Sequence, residues 1–437
     1  MSERMFMYKL AEEVGALVVT LEHRFYGKSY PVSDMSLDKL RFLTSEQAQA
    51  DLARFIDFIS ALPVDSPSPH VTPKLVNKAD ISSSQWVSFG GSYPGNMATW
   101  LKLKYPAKVV GTVGSSAPVK SDYNYYRYAQ VVGSAMSYDL IGGSDKCYSA
   151  IDSAMKVVHD AVESGSTDTL PSNLKPCGDI NGAGDVYAYE SEIYGWFQGT
   201  VQYNEQSSSN ATVRSLCADL TDDSLSPIEA LNKMAGNYFP QACVPSSWKD
   251  LVDELSEIEF DGSSAGRQWI YQSCNEFGYF QTTEGSDHPF ISLKGCTLEV
   301  AGKKMCEDVF QIKDYDGPMR GGGQTEDGTY NYASDEHYGA RVIQGANITM
   351  PNGSCDPWHS LGVVDSEAKF YDDSQITGEL VDPVFIDGTA HCRDMYAPEI
   401  FSQYGFNDTQ AVKDAHKRIK ANVYQYIGFG DVETTSN

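Results

Sequence analysis

Three short loops of this 437-residue chain carry side chains able to act together on a carbonyl group. The first is Gly90-Gly91-Ser92-Tyr93-Pro94-Gly95. It follows an apolar run (Trp86, Val87, Phe89) and precedes a helical pattern with Met97, Trp100, Leu101 and Leu103. Strand, tight turn with serine, then helix is the layout of a nucleophile elbow. Such a turn is strained, so it needs small residues beside the serine. Pro94 is tolerated because the first helical turn lacks a backbone acceptor for that position. The other two loops lie toward the C-terminus. Asn352-Gly353-Ser354-Cys355-Asp356-Pro357-Trp358 follows the strand pattern Ala346–Met350, and Gly388-Thr389-Ala390-His391-Cys392 follows the strand pattern Val384–Asp387. A serine hydroxyl is a poor nucleophile without a base beside it. His391 would take the Ser92 proton and return it to the leaving group, while Asp356 would fix the imidazole tautomer and stabilise the imidazolium. The Tyr93 backbone N–H would donate to the oxyanion, with a second donor expected from the loop after the third strand.

Serine, acid, histidine is the chain order of an α/β-hydrolase, each residue following a sheet strand. Of eight histidines, only His391 sits in a small-residue loop after an apolar strand. His416, among Lys413, Lys417 and Arg418, reads as a surface-helix residue, and His359 as facing solvent or an outer shell. Asp382 and Asp387 are weaker acids, one before and one inside a strand pattern. Upstream, residues 5–15 form an amphipathic helix pattern, and Ala16–Leu21 is a β-branched apolar run that reads as a buried parallel strand. Thr44 to Gln47 has a capping-box pattern opening a helix. Residues 63–84, rich in Pro and Ser, read as a surface loop. From about 120 to 340 the strand–helix alternation stops, and helical patterning broken by Gly, Ser and Asp clusters takes over. The organisation predicted is an α/β core over 1–119, a helical cap insertion over 120–340, and the rest of the core over 341–437.

Composition narrows the class. The net charge of −26 disfavours nucleic acid and anionic membranes as partners, and is compatible with an acidic compartment. No window approaches the apolar length of a membrane span. Of nine cysteines, seven fall between 147 and 306, and none forms matched Cys-x-x-Cys pairs, so no metal or cofactor site is expected. Four glycosylation sequons, at Asn210, Asn347, Asn352 and Asn407, join the cysteines in favouring a secretory-pathway protein with disulfides. The N-terminal residues have no signal-peptide pattern.

With these loops in hand, the chain resembles the family of serine peptidases that includes lysosomal prolyl carboxypeptidase, dipeptidyl-peptidase II and thymus-specific serine protease, in its fungal branch. The matching segments are Glu22–Ser29, Leu43–Ala48, Gly90–Tyr93, Trp269–Gly278, Asn352-Gly353 through Asp356-Pro357-Trp358, and Ala390-His391. The resemblance implies an α/β-hydrolase with a helical, disulfide-bearing cap. It implies a triad of Ser92, Asp356 and His391, with Trp358, Met97 and Glu276 as candidate substrate contacts. It further implies cleavage of peptides with proline near a chain end, and a secreted, vacuolar or lysosomal setting; a homodimer is left open. Pro94 and Asn96 replace residues usually glycine and methionine in that family, which bears on substrate preference. Cys355 and Cys392 flank acid and base and form a candidate disulfide, while Cys274 is expected to pair within the cap. Members carry several dozen residues ahead of the segment matching Met5–Leu21, including the first strands of the sheet and a second oxyanion donor. The expectation is a truncated or alternatively started chain, lacking those strands and weakly active or inactive.

Two other functional classes stay open: an α/β-hydrolase esterase, and a non-catalytic secreted glycoprotein on the same scaffold. Glu22-His23-Arg24 looks catalytic but precedes Ser92, so a buried structural ion network is the better reading. Arg320-Gly321-Gly322-Gly323 lacks the lysine of a phosphate loop, and the tyrosines at 123, 125, 126 and 128 read as a seam between cap and core.

Overall fold

A computed structural model describes residues 3–61, 83–312, 333–366, 368–369 and 375–430. Most of the loop at 63–84 and all of Arg320–Gly323 lie outside the described residues. Among the described residues there are eight strands: β1 (Val87–Gly91), β2 (Gly111–Ser115), β3 (Asp122–Asn124), β4 (Gly278–Phe280), β5 (Val342–Ile343), β6 (Ala346–Gly353), β7 (Ile376–Thr377) and β8 (Leu380–Ile386). The central sheet has the order β1-β2-β6-β8 and is parallel throughout, with Val87 opposite Gly111, Thr112 opposite Ile348, and Ile348 opposite Val381. Parallel neighbours need crossover connections, and helices supply them. The N-terminal half of the chain holds α1 (Phe6–Val14), α2 (Leu37–Leu40), α3 (Ser45–Ser60) and α4 (Tyr93–Lys104). Between β2 and β6 lie α5 (Arg127–Ser137), α6 (Asp145–Glu163), α7 (Ala183–Gln202), α8 (Val213–Leu220), α9 (Pro227–Tyr238), α10 (Trp248–Ser256), α11 (Gly266–Gln272), α12 (Met305–Phe310) and α13 (Ala333–Tyr338), and α14 (Gln410–Ile427) closes the fold. The fold is thus an α/β-hydrolase sheet with an inserted helical cap.

The elements follow from local chemistry where the signal was local. The Thr44 side chain accepts from the Gln47 N–H and starts α3, as its capping pattern implies. Gly15 closes α1 in the left-handed conformation. The predicted strand at Ala16–Leu21 does not form: the segment joins no sheet among the described residues, and Leu17 is 41% exposed. Its side chains suit a strand, but a strand also needs a ladder partner, and the free edge of β1 does not supply one. The cap holds one strand pair that its helical patterning does not announce. In it β3 and β4 join across most of the cap's length, with Asp122 opposite Gly278.

Cap and core share a hydrophobic centre. Tyr93, Met97 and Trp100 of α4 pack with Tyr125, Tyr128 and Val132 and with residues of α6 to α9, in line with the tyrosine seam. Trp100, 1% exposed, stacks on Tyr338 at 3.9 Å, and burying such a side chain contributes roughly 2–3 kcal/mol. Three disulfides lie within the cap: Cys147–Cys217, Cys177–Cys243 and Cys274–Cys306. The last confirms the expected cap partner for Cys274. Cys355 and Cys392 are both free thiols, so the disulfide suggested between them is absent, and Cys296 is the third free thiol. Two sequons also need correction. Asn352 is 1% exposed and its amide donates to the carbonyls of Met350 and Val363. Asn347 is half-buried at the start of β6, bonded to the Val110 carbonyl. A glycan needs an exposed amide, which Asn210 and Asn407 retain.

Candidate active site

Strand β1 delivers Ser92 to the carboxyl end of the sheet. Ser92 has φ 63° and ψ −135°, a conformation that costs about 1–3 kcal/mol and persists only when its surroundings impose it. They do so here. The Ser92 N–H donates to the Ser115 carbonyl at 2.9 Å, and the Ser92 carbonyl accepts from the N–H groups of Gly95 (2.7 Å) and Asn96 (3.1 Å). Two glycines make the turn feasible. A Cβ on Gly90 would run into the Pro94 carbonyl, and one on Gly91 would meet the Met395 sulfur and lie 2.9 Å from the Cys392 sulfur. The Tyr93 N–H, at the first position of α4, has no intrahelical acceptor and sits at the positive end of the helix.

Strands β6 and β8 bring Asp356 and His391 to the same end of the sheet. His391 Nδ1 lies 2.8 Å from Asp356 Oδ1, with the two residues 3% and 0% exposed. The Trp358 N–H donates to the same Oδ1 at 2.9 Å. This fixes the tautomer: Nδ1 carries the proton and Nε2 is left as an acceptor. Nε2 makes no hydrogen bond to any described residue, Ser92 Oγ included. Contacts of this kind often tighten only with substrate bound. Burial opposes the imidazolium, but the Asp356 charge and hydrogen bond, with the Cys392 thiol alongside, outweigh it and hold the ring well above its usual value.

An aromatic wall stands beside this pair. The Trp358 ring lies 6.5 Å from that of His391, and 5.5, 5.6 and 5.4 Å from Tyr125, Tyr128 and Tyr279. The other two sequence candidates lie elsewhere. Met97 is on the buried face of α4, in the core, its sulfur 3.5 Å from Gln49 Nε2. Glu276 directs its carboxylate to the N-terminus of α3, accepting from the Ser45 N–H and hydroxyl at 3.0 Å. The Glu22-His23-Arg24 segment is structural, but not as one ion network. Arg24 pairs with Asp51 at 2.6 and 2.7 Å, His23 bonds the Tyr93 hydroxyl at 3.1 Å, and Glu22 is exposed, holding the Lys28 N–H.

Of the two readings of His359 the outer-shell one holds, whereas His416 is placed differently from its surface reading. His359 is 1% exposed, its Nδ1 2.7 Å from the Asp356 carbonyl. His416 is 5% exposed, stacks on Phe6 at 4.1 Å and bonds the Asp394 carbonyl through Nε2. Its neighbours on α14, Val412, Ile419 and Val423, share its buried face, a 3.6-residue period that the surrounding lysines mask. Sequence reading also passed over Asp394. This buried carboxyl accepts from the Ser115 hydroxyl at 2.5 Å, beneath the carbonyl that holds Ser92, and burial pushes its pKa up to about 6.

Cys392 is the one free thiol that is not buried. It is half-exposed at φ 56°, and its sulfur faces Gly91 next to the half-exposed Ser92. Burial pushes the Cys355 thiol up to about 12 and raises that of Cys296 as well, suppressing the reactive thiolate at both. Iodoacetamide under native conditions is therefore expected to alkylate Cys392 first and to slow hydrolysis in step with labelling. A Cys392→Ser variant should resist this loss. Peptide mapping that finds Cys392 alkylated in fully active protein would contradict it.

The model of the family described as serine carboxypeptidase S28 matches residues 1–416. The chain is 33% identical over 401 residues to the thymus-specific serine protease of Mus musculus, covering 88% of this chain and 70% of that one. It is 26% identical over 398 residues to the lysosomal Pro-X carboxypeptidase of Homo sapiens, covering 88% and 71%. It is 24% identical over 392 residues to an Arthroderma benhamiae protein named "Probable extracellular serine carboxypeptidase", covering 81% and 50%.

Proposed function

We propose that this chain, which belongs to the serine carboxypeptidase S28 family, is an exopeptidase that cleaves peptides beside proline through Ser92, His391 and Asp356. That it is a serine-type peptidase follows from the family. The finer reading is supported most by one observation. The buried Asp356–His391 pair and the strained Ser92 stand at the carboxyl end of one parallel sheet, on loops after β6, β8 and β1.

In this reading Ser92 Oγ attacks the scissile carbonyl as His391 Nε2 takes its proton. The Tyr93 N–H donates to the oxyanion. His391 then protonates the departing amine, and water releases the acyl group by the same steps in reverse. Asp356 holds the Nδ1–H and stabilises the imidazolium. The wall of Trp358 and its tyrosine neighbours suits a compact, apolar ring such as proline beside the cleaved bond. Three disulfides, together with relatives named as lysosomal or extracellular, support passage through the secretory pathway.

A peptide panel tests this. Proline-containing peptides with free ends should be hydrolysed at least tenfold faster than their proline-free counterparts, and peptides blocked at both ends should stay intact. Cleavage inside doubly blocked peptides would replace the exopeptidase reading with an endopeptidase. Turnover of nitrophenyl esters without peptides would favour an esterase.

A further inference from the structure

We propose that Gln206, in the cap, is a positioning residue for His391. This rests on the reading of His391 as the catalytic base. Both main-chain polar groups of His391 are held by the end of α7 and the turn after it. The His391 N–H donates to the Gln202 carbonyl at 3.0 Å. The His391 carbonyl accepts from Gln206 Nε2, also at 3.0 Å. Gln206 is 6% exposed, so this contact is shielded from competing water.

The same turn fixes the wall beside the acid. Gln202 Oε1 accepts from the Tyr128 hydroxyl at 2.5 Å and from Trp358 Nε1 at 3.0 Å. The turn is itself anchored in the cap, where Asn204 Oδ1 accepts the Val213 N–H at 2.9 Å and opens α8. On the core side, the next residue, Cys392, is tied through its N–H to Ser116 Oγ at 2.9 Å. His391 is therefore gripped by the cap through its backbone and by the core through its ring. Any displacement of the α7 end carries the base with it, and a misplacement of about 1 Å can cost roughly 10²-fold in rate.

The charged groups around the turn are Glu205, Arg214 and Arg393, with Asp356 and His391 itself. Two substitutions separate positioning from simple structural support. Gln206→Ala removes the donor to the His391 carbonyl. It is expected to lower kcat about tenfold with KM unchanged within twofold, and to slow fluorophosphonate labelling by the same factor, the ratio to the parent staying constant with pH. Gln206→Glu sets a carboxylate against that carbonyl near neutral pH and should be at least as slow there. On acidification the carboxyl gains a proton and donates again, so its activity relative to the parent should rise severalfold between pH 7.5 and 4.5. That acid recovery also gives a readout should the alanine variant fail to fold. A kcat within twofold of the parent for folded Gln206→Ala, or no acid recovery for Gln206→Glu, overturns the proposal. Ser92→Ala is the control. If it still hydrolyses peptides, the active-site reading falls, and this proposal with it; if it is inactive while both Gln206 variants match the parent, only the positioning role falls.

Discussion

Replacing Ser92 with alanine is expected to lower peptide hydrolysis about 10⁴- to 10⁶-fold while leaving the fold intact. The fold should survive because alanine at φ 63° suffers the same backbone strain as serine, and the hydrogen bonds that impose the turn use only the main chain of residue 92. What disappears is the single atom that, in the proposed mechanism, forms the acyl bond. The remaining rate would come from the Tyr93 N–H and from substrate binding, which neither break nor make a covalent bond. Two measurements check this together: kcat/KM on a proline-containing chromogenic peptide, and labelling by a fluorophosphonate, which requires an activated serine. Parent protein should label at Ser92 and the variant should not. More than a tenth of the parent activity in a folded Ser92→Ala protein would mean another nucleophile. A parent that does not label would favour the non-catalytic reading of the scaffold.

The second large effect is expected at Asp356. Its Oδ1 accepts two donors, His391 Nδ1–H and the Trp358 N–H, while Oδ2 has no partner among the described residues. An Asp356→Asn side chain must therefore turn its oxygen toward both donors. Its amide group takes the unpartnered side, and the His391 tautomer is preserved. The loss then reports the charge alone, and a fall of about 10³-fold in kcat is expected, within the range of general acid–base catalysis. The pH profile should move too. The Asp356 charge is what holds the imidazole above its usual value against burial. Without it the imidazolium is less favoured, the pKa drops, and the acid limb of kcat shifts to lower pH. A limb that stays in place or moves upward would show that Asp356 does not face the base during turnover.

The candidate site was legible to the extent that its signals are local or ordered along the chain. The elbow announces itself through adjacent glycines between a short apolar run and a helical pattern. His391 and Asp356 were reachable because the fold dictates their order and each follows a strand. Signals that depend on distant pairing were not legible. Ala16–Leu21 has strand side chains, but whether an extended segment joins a ladder depends on an edge elsewhere. The pair β3 and β4 is three residues per strand, too short for a period to show. A sequon is three residues long and blind to burial, so Asn352 passed although it lies in the core. Gln202, Gln206 and Asp394 carry no pattern at all. Their roles arise from loops meeting in space. The cysteines divided along the same line: clustering in the cap pointed to disulfides there, whereas sequence proximity of Cys355 and Cys392 to bonded residues did not place their sulfurs together.

The strand order has a consequence for synthesis. On the ribosome β1 and β2 emerge early, but β2 must pair with β6, which follows only after the entire cap. At ordinary elongation rates of about 5–20 residues per second, the interval from Ser115 to Ala346 lasts roughly 10–50 s. Throughout it the nascent sheet offers an unsatisfied edge, while the cap can already fold and close its three cystines. Asp356 and His391 follow β6 and β8, the strands that complete the sheet, so they reach Ser92 only after the cap has been made. Under the proposed mechanism, no base stands beside Ser92 until the whole cap has been synthesised.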